Sequence, residues 1–342
     1  MKAIGFQASH EGTGPEALKD IELDQPVPSG RDLLVRVAAV SVNPVDTKVR
    51  MRSTGTKGAY QVLGWDAAGE VTAVGEQVTG YQIGDQVWYA GDITRPGANA
   101  EYHLVDERIV GRRPRSLSDA EAAAIPLTAI TAWELLFDRL GFEQTTDDNN
   151  PSGARLLVVG AAGGVGSILI QLAKCLTDAT VIATASRPQS AAWVRDLGAD
   201  QVIDHTQPFA AELSRVGVDN VTHVISLNHT DDHFEQLVEV LAPQGKLALI
   251  DDPETLLDIR KLKLKSLSLH WELMFTRSMF ETDDMLKQRD LLNRVAELID
   301  AGSIRTTVGA NYGAICAENL QKAHRDIESG RAIGKIVLEG FR

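Results

Sequence analysis

The sequence predicts an α/β protein in which a doubly wound parallel sheet is joined to a second, β-rich unit. Three observations predict it. From residue 155 onward, continuous apolar runs alternate with helical patterns. Before residue 116, short β-branched runs alternate with glycine-bearing turns. The 342 residues suffice for about two cored domains at ~150 residues each. A composition of 44% hydrophobic and 24% charged residues is that of an ordinary globular chain and excludes disorder as its main state. Lys plus Arg number 34 against 47 Asp plus Glu, and the net charge of −13 disfavours non-specific binding to nucleic acid or an anionic membrane. The two cysteines, Cys175 and Cys316, give neither a disulfide framework nor a four-cysteine zinc lobe, and they suit a reducing compartment. The first residues, Met1 to Phe6, lack an extended apolar targeting core, and no run of about 18 apolar residues follows. A soluble, cytoplasmic protein is expected, with no nucleic-acid or membrane partner.

The β-rich unit rests on the apolar runs 33–40, 69–74 and 85–89. Gly64, Gly69, Gly75 and Gly84 punctuate them where turns need positive φ. After Ser116 the texture turns helical. Ser118 is an N-cap candidate with Asp119 and Glu121 in the first turn, the alanine-rich stretch runs to Ile125, and a second helical segment covers 130–140. Residues 143–153 are too polar to pack and read as a loop. Beyond it come strands at 156–160, 180–185, 201–203, 221–227 and 246–250, spaced by helices at 165–176, 191–197 and 234–241. That order is the doubly wound arrangement, which a strand at 266–270 extends. Residues 285–301 form an amphipathic helix with Gly302 beyond it as a C-cap, and 334–338 return to β character and rejoin the first unit. The resulting division is 1–125 completed by 303–342, then 126–271, with 272–302 as connecting segment and helix.

The strongest local motif is Val158-Val159-Gly160-Ala161-Ala162-Gly163-Gly164-Val165-Gly166, after one strand and at the start of a helix. Counted from Ala161 it fits A-x-G-x-x-G, a Rossmann-type dinucleotide turn. Gly163 lets the backbone approach a pyrophosphate, and Gly166 lets helix and strand pack closely. A purely structural glycine turn is the alternative. At the end of the second strand an NAD-preferring site carries an acid for the ribose hydroxyls, but here Ala185-Ser186-Arg187-Pro188 stands. A hydroxyl and a permanent guanidinium can hold a 2′-phosphate, so NADPH is the expected cofactor. The competing reading makes Ser186 a helix cap and Arg187 a solvated charge. His205, closing the third strand, could reach the adenosine end or be a surface histidine. Asn228, after the fourth strand, is counted with the cofactor-binding residues. His229 and His233, four apart, could share a helix face as metal ligands if the helix began early, whereas Asp231 or Asp232 as N-cap is the simpler reading.

Together with Asn43-Pro44-Val45-Asp46, the Gly64 to Val87 run, Pro126-Leu127-Thr128-Ala129-Ile130-Thr131-Ala132 and Gly334-Lys335-Ile336-Val337-Leu338, this turn resembles the medium-chain dehydrogenase/reductase superfamily over nearly the whole chain. Within it the chain is similar to the zinc-independent quinone oxidoreductases, and to a bacterial branch called zinc-type alcohol dehydrogenase-like. The zinc-dependent members hold a catalytic metal with Cys, His and Cys. The corresponding positions here are Asn43, Trp65 and Leu127, none of which supplies a thiolate or imidazole, so no metal is expected. The resemblance implies that the β-rich unit is a GroES-like domain, with the active site in a cleft beside the cofactor domain. It also implies that Asn43, Asp46 and Thr131 lie near nicotinamide and substrate, with Asn43 donating to a substrate oxygen as charge develops there. A turn-forming Asn43 and a Thr131 bonded to its own helix are the structural alternatives. Arg331 and Lys335 are either helpers at a cofactor phosphate or solvated charges.

The function expected on these grounds is an NADPH-dependent reductase that passes hydride to a quinone or other electron-poor conjugated carbonyl, without catalytic zinc. An enone or enoyl reductase is the neighbouring alternative. A non-catalytic NADPH-binding sensor or partner-binding protein is the alternative of another class, and a zinc-dependent alcohol dehydrogenase is the third. The 266–270 strand offers a pairing edge for a homodimer. Loops at 50–60 and 272–283 shape the substrate site.

Overall fold

The computed structural model describes residues 1–7, 14–53, 59–144 and 153–342. Residues 145–152 of the polar loop expected at 143–153 and part of the 50–60 loop lie outside the described residues. The chain divides into two compact units, Met1–Ile130 with Phe275–Arg342, and Thr131–Met274. The segment from 275, read above as a connector, is therefore counted with the first unit.

The first unit is built around one long strand, Asp32–Val42, whose run DLLVRVAAVSV is β-branched and almost wholly buried. On one side it pairs antiparallel with Asp66–Val74. On the other, its first half takes Tyr102–Asp106 and its second half Lys335–Glu339. This last pairing sets Ile336 opposite Val42, which brings Lys335 to the level of Asn43, while Ser41 faces Asp66 across the strand. The ladder continues from Asp66–Val74 through Gln86–Ala90 to Val110–Arg112. A small antiparallel sheet of Lys2–Gln7 between Lys19–Glu22 and Tyr60–Val62 adds strands that no long alternating pattern announces. Asn43 ends the long strand and caps the helix Pro44–Arg52, with proline in its first turn.

The second unit carries six parallel strands in the order Gln201–Ile203, Thr180–Thr184, Arg155–Val159, Val221–Ser226, Leu241–Leu249, Ser268–Trp271. The chain order 3-2-1-4-5-6 reverses between Arg155–Val159 and Val221–Ser226. Doubly wound sheets bind ligands outside the carboxyl ends of the strands at such a reversal. The helices Gly164–Leu176, Pro188–Asp196, Phe209–Arg215 and Thr230–Val240 complete the unit. Leu157, Ile182, Phe209, Val224, Leu237 and Leu247 fill one core, each worth about 1.5–3 kcal/mol of burial.

Two local expectations change. Helix Thr230–Val240 is capped by His229 in the left-handed region (φ 52), not by Asp231 or Asp232. Asp231 instead accepts from the Glu254 and Thr255 N–H groups, at 3.0 and 3.2 Å. Arg187, not Ser186, is the N-cap of Pro188–Asp196, and the Ser190 hydroxyl donates back to the Arg187 carbonyl at 2.9 Å. The segment Asp119–Arg139 is long and apolar enough to cross a membrane, but 83% of its apolar window is buried inside the fold. It is a core segment.

Candidate functional site

In the second unit the glycine turn forms where strand Arg155–Val159 stops. Gly160 takes φ 76, which L side chains rarely adopt, and a Cβ there would stand 2.5 Å from Asn228 Oδ1. A Cβ on Gly166 would press within 2.6 Å of the Ala161 backbone, so only glycine lets the helix start this close to the strand end. Gly163 is different. Its φ is ordinary and the nearest atom to a Cβ would be Gly160 O at 3.4 Å, so the side facing away from the backbone is open. It caps helix Gly164–Leu176 without a side-chain acceptor, and first-turn N–H groups have no acceptor within a helix. Gly160, Ala161, Ala162, Gly163, Gly164, Val165, Gly166 and Asn228 thus stand together at the strand reversal.

Around them Ser186 is exposed and Arg187 half-buried after the second strand, and His205 is half-buried after the third. Asn228 and His229 follow the fourth strand. Their loop is pinned by Thr230, whose N–H and hydroxyl donate to the two Asp251 oxygens at 2.9 and 2.6 Å. His205 is half-buried and not fully solvated. Its ring lies edge-on to His233, centroids 6.2 Å apart, and burial first, then the charges of His229 and Arg187, hold it below the ordinary histidine range. Arg331 is exposed and belongs to the first unit.

In the first unit, Asn43, Asp46, Asp66 and Lys335 are at most 3% exposed. Asp66 Oδ2 accepts from Asn43 Nδ2 at 2.7 Å and from the Lys335 ammonium at 3.1 Å, and Oδ1 accepts from the Leu127 N–H at 2.7 Å. Lys335 also donates to Asn43 Oδ1 and to the Val42 carbonyl. Lys335 is therefore no solvated charge, and it reaches the core because the last strand runs beside Val42. Asn43 is equally engaged. Its second N–H faces the Ser41 carbonyl at 3.4 Å, so the amide meant to donate to a substrate oxygen is already held on both sides. Asp46 accepts from the Asn43 N–H at 2.7 Å, while its Oδ1 has no partner among the described residues. Burial pushes its carboxyl up to about 7, against the pull of Lys335. Thr131, 4% exposed, opens the second unit.

Comparison with known proteins adds the family. Residues 29–115 match the alcohol dehydrogenase GroES-like domain, and 197–338 match the zinc-binding dehydrogenase family. A zinc-type alcohol dehydrogenase-like protein of Staphylococcus epidermidis is 36% identical over 338 residues, covering 99% of each chain. The chain belongs to the medium-chain dehydrogenase/reductase superfamily, in its quinone-oxidoreductase-like branch. Two solved structures of this superfamily stand beside it. A candidate zinc-dependent alcohol dehydrogenase protein from Rhizobium etli is 53% identical, with TM-score 0.93, over 100% of this chain and 98% of its own. The quinone oxidoreductase of Escherichia coli, solved with NADPH, is 26% identical, with TM-score 0.81, over 99% of this chain and 100% of its own. This superfamily member is thus an oxidoreductase with an NAD(P)-binding fold.

Two groups that the superfamily implies can be tested against the residues. The cradle at Gly160, Gly163 and Gly166 fits a dinucleotide, since Gly163 leaves open the space that a phosphate needs. The metal positions do not fit zinc. Asn43 and Leu127 engage Asp66 instead, and the Trp65 indole donates to the Asp92 carbonyl at 3.0 Å. An ammonium already balances the one carboxylate they surround. The sequence reading missed this Asp66–Lys335 pair. Its signal was a lone acid in Leu63-Gly64-Trp65-Asp66-Ala67-Ala68 and a lone base in Ile333-Gly334-Lys335-Ile336-Val337, two charges in apolar runs that each need a partner.

Proposed function

We propose that this chain is an NADPH-dependent reductase that passes hydride to a quinone or another electron-poor conjugated carbonyl, with no catalytic metal. The observation that carries this reading is the Lys335–Asp66 pair, whose carboxylate accepts hydrogen bonds from Asn43 and Leu127, two of the three positions at which zinc-dependent members hold their metal. The quinone oxidoreductase solved with NADPH supports the cofactor and acceptor class.

The bound nicotinamide cofactor supplies the hydride, so the chain must bind, orient and stabilise charge. The first-turn N–H groups after Gly163 receive the pyrophosphate, with the positive end of helix Gly164–Leu176 behind them. Ser186 and Arg187 take the 2′-phosphate, a site that an Asp would make repulsive. The family resemblance assigns Thr131 and Asp46 to the reacting end. Lys335 donates to Asn43 Oδ1 while Asp66 and the Ser41 carbonyl accept from Asn43 Nδ2, so Asn43 acts as a positioning residue whose backbone N–H holds Asp46. Asp46 holds a proton up to about pH 7 and is the group assigned to supply a proton to the reduced acceptor.

The test is oxidation of NADPH and of NADH by chelator-treated protein with 9,10-phenanthrenequinone. Turnover that prefers NADPH at the rate of untreated protein is expected. A preference for NADH, or activity that returns only on adding zinc, would overturn the proposal.

A further inference from the structure

His205, His229 and His233 are 24 and 4 residues apart in sequence, yet the second unit gathers them at the carboxyl end of its sheet. The gathering has identifiable causes. His205 closes strand Gln201–Ile203, and His229 is held in the left-handed region where Thr230 is tied to Asp251. His233 is carried one turn up helix Thr230–Val240, where its ring packs on Phe209, centroids 5.1 Å apart. Among the described residues the buried Nδ1 atoms of His205 and His233 have no hydrogen-bond partner. Among the described residues no three His, Cys, Asp or Glu side chains stand close enough to hold a metal ion.

The charges facing the cluster come from four elements. Arg187 acts from the start of helix Pro188–Asp196, and Asp204 from the strand end beside His205. Asp232 lies 3.4 Å from His229 Nδ1 and acts on His233 as well. Helix Phe209–Arg215 presents Glu212, which is engaged by Arg215 and by the Asp204 N–H. Glu212 being paired with Arg215, neutral histidines leave one guanidinium, Arg187, against two carboxylates, Asp204 and Asp232, a poor place for an anion. Each proton taken up moves the patch one unit toward positive. Burial, the neighbouring histidines and, for His205, Arg187 hold His205 and His233 below the ordinary range, and an arriving dianion reverses that balance.

We propose that His205, His229 and His233 form, with Arg187, a proton-linked binding site for the 2′-phosphate of NADPH, so that the preference for NADPH over NADH strengthens as the pH falls. This rests on the NADPH reading of Ser186 and Arg187. It adds three residues to that site, and it makes cofactor choice depend on protonation.

Binding of adenosine 2′,5′-bisphosphate and of 5′-AMP to the full chain tests it by calorimetry, between pH 5.5 and 8.5, in buffers of different ionisation enthalpy. Near pH 6.5 the bisphosphate should take up protons that 5′-AMP does not. The ligand's own phosphate titrates near pH 6, so wild type is compared with His205→Gln, His233→Gln and His229→Asn at each pH. His229 is exposed and asparagine tolerates its left-handed conformation, so that variant folds. The variants should lose about tenfold in bisphosphate affinity at pH 6 and about twofold or less at pH 8.5, with 5′-AMP unchanged, as expected for a lost charge-assisted hydrogen bond. If wild type favours the bisphosphate but the variants match it at every pH, the histidine site is overturned and the Ser186–Arg187 reading stands. Equal affinity for the two nucleotides overturns both.

Discussion

Lys335 and Asp66 are a buried ion pair, and the value of such a pair lies in its completeness. Removing one partner leaves a charge in the core and costs about 3–5 kcal/mol, whereas replacing both with apolar or neutral groups is often close to neutral. Lys335→Met should therefore lower the unfolding free energy by about 3–5 kcal/mol. Asp66→Asn combined with Lys335→Met should recover most of that loss, as measured by urea denaturation. Equal stability of the single and double variants would mean the ammonium matters only through its packing. At this scale little of the site was legible. Positions 43, 66 and 335 meet only through the antiparallel register of three strands, and nothing in the local sequence around any one of them states that register. Asn43 shows the same limit from the other side. Its residue type pointed to a donor, but its partners were decided by strands far away in the chain.

The glycine turn is an element whose two roles can be separated. Gly166→Ala puts a methyl against the Ala161 backbone, an overpacking that costs about 1–3 kcal/mol and weakens cofactor binding by displacing the turn. Gly163→Ala meets only Gly160 O, at ordinary contact distance, so stability should change by less than about 0.5 kcal/mol. Its methyl occupies the phosphate space, and NADPH binding followed by nucleotide fluorescence should still weaken. Unchanged binding would remove Gly163 from the cofactor cradle. This turn was readable because strand, glycines and helix are contiguous, and the six parallel strands because each is an unbroken apolar run. Helix Ala317–Glu328 was not read. Its buried face is Leu320, Ala323 and His324, and a histidine counts as polar until the Arg50 guanidinium is found 2.6 Å from its Nδ1.

Across the whole molecule, buried titratable groups set opposing pH dependences. Burial pushes His103 and His223 down to about 4, and burial with the Arg50 charge pushes His324 down to about 3. These pKa values are depressed on folding, so the unfolded chain binds protons first below pH ~6.5. The contribution of these histidines is full above that pH and is lost as the pH falls toward their folded values, about 3 kcal/mol for fully buried His103. Asp46 has the opposite sign. Its folded pKa is raised from 3.8 to about 7, so the folded chain keeps the proton longer and stability drains as the pH rises through that interval. Thermal unfolding from pH 4 to 9 should show stability rising to about pH 6.5, where three histidines outweigh one aspartate, and levelling off above pH 7. His324→Gln should make that rise shallower and Asp46→Asn should make it steeper, and slopes unchanged in both variants would discard this account.

The strand Lys335–Glu339 has a consequence for how the chain is made. Asp66 leaves the ribosome 269 residues before Lys335 does. Throughout that interval the long strand Asp32–Val42 has only one of its two neighbours along its second half, and a carboxylate destined for the core lacks the Lys335 counter-charge. The second unit, drawn from one continuous stretch, has all six of its strands at hand much sooner. Domains fold as they emerge. The first unit, although it starts the chain, is therefore the later one to be completed, and the exposed edge it carries until then is where a nascent chain of this protein is most open to mispairing.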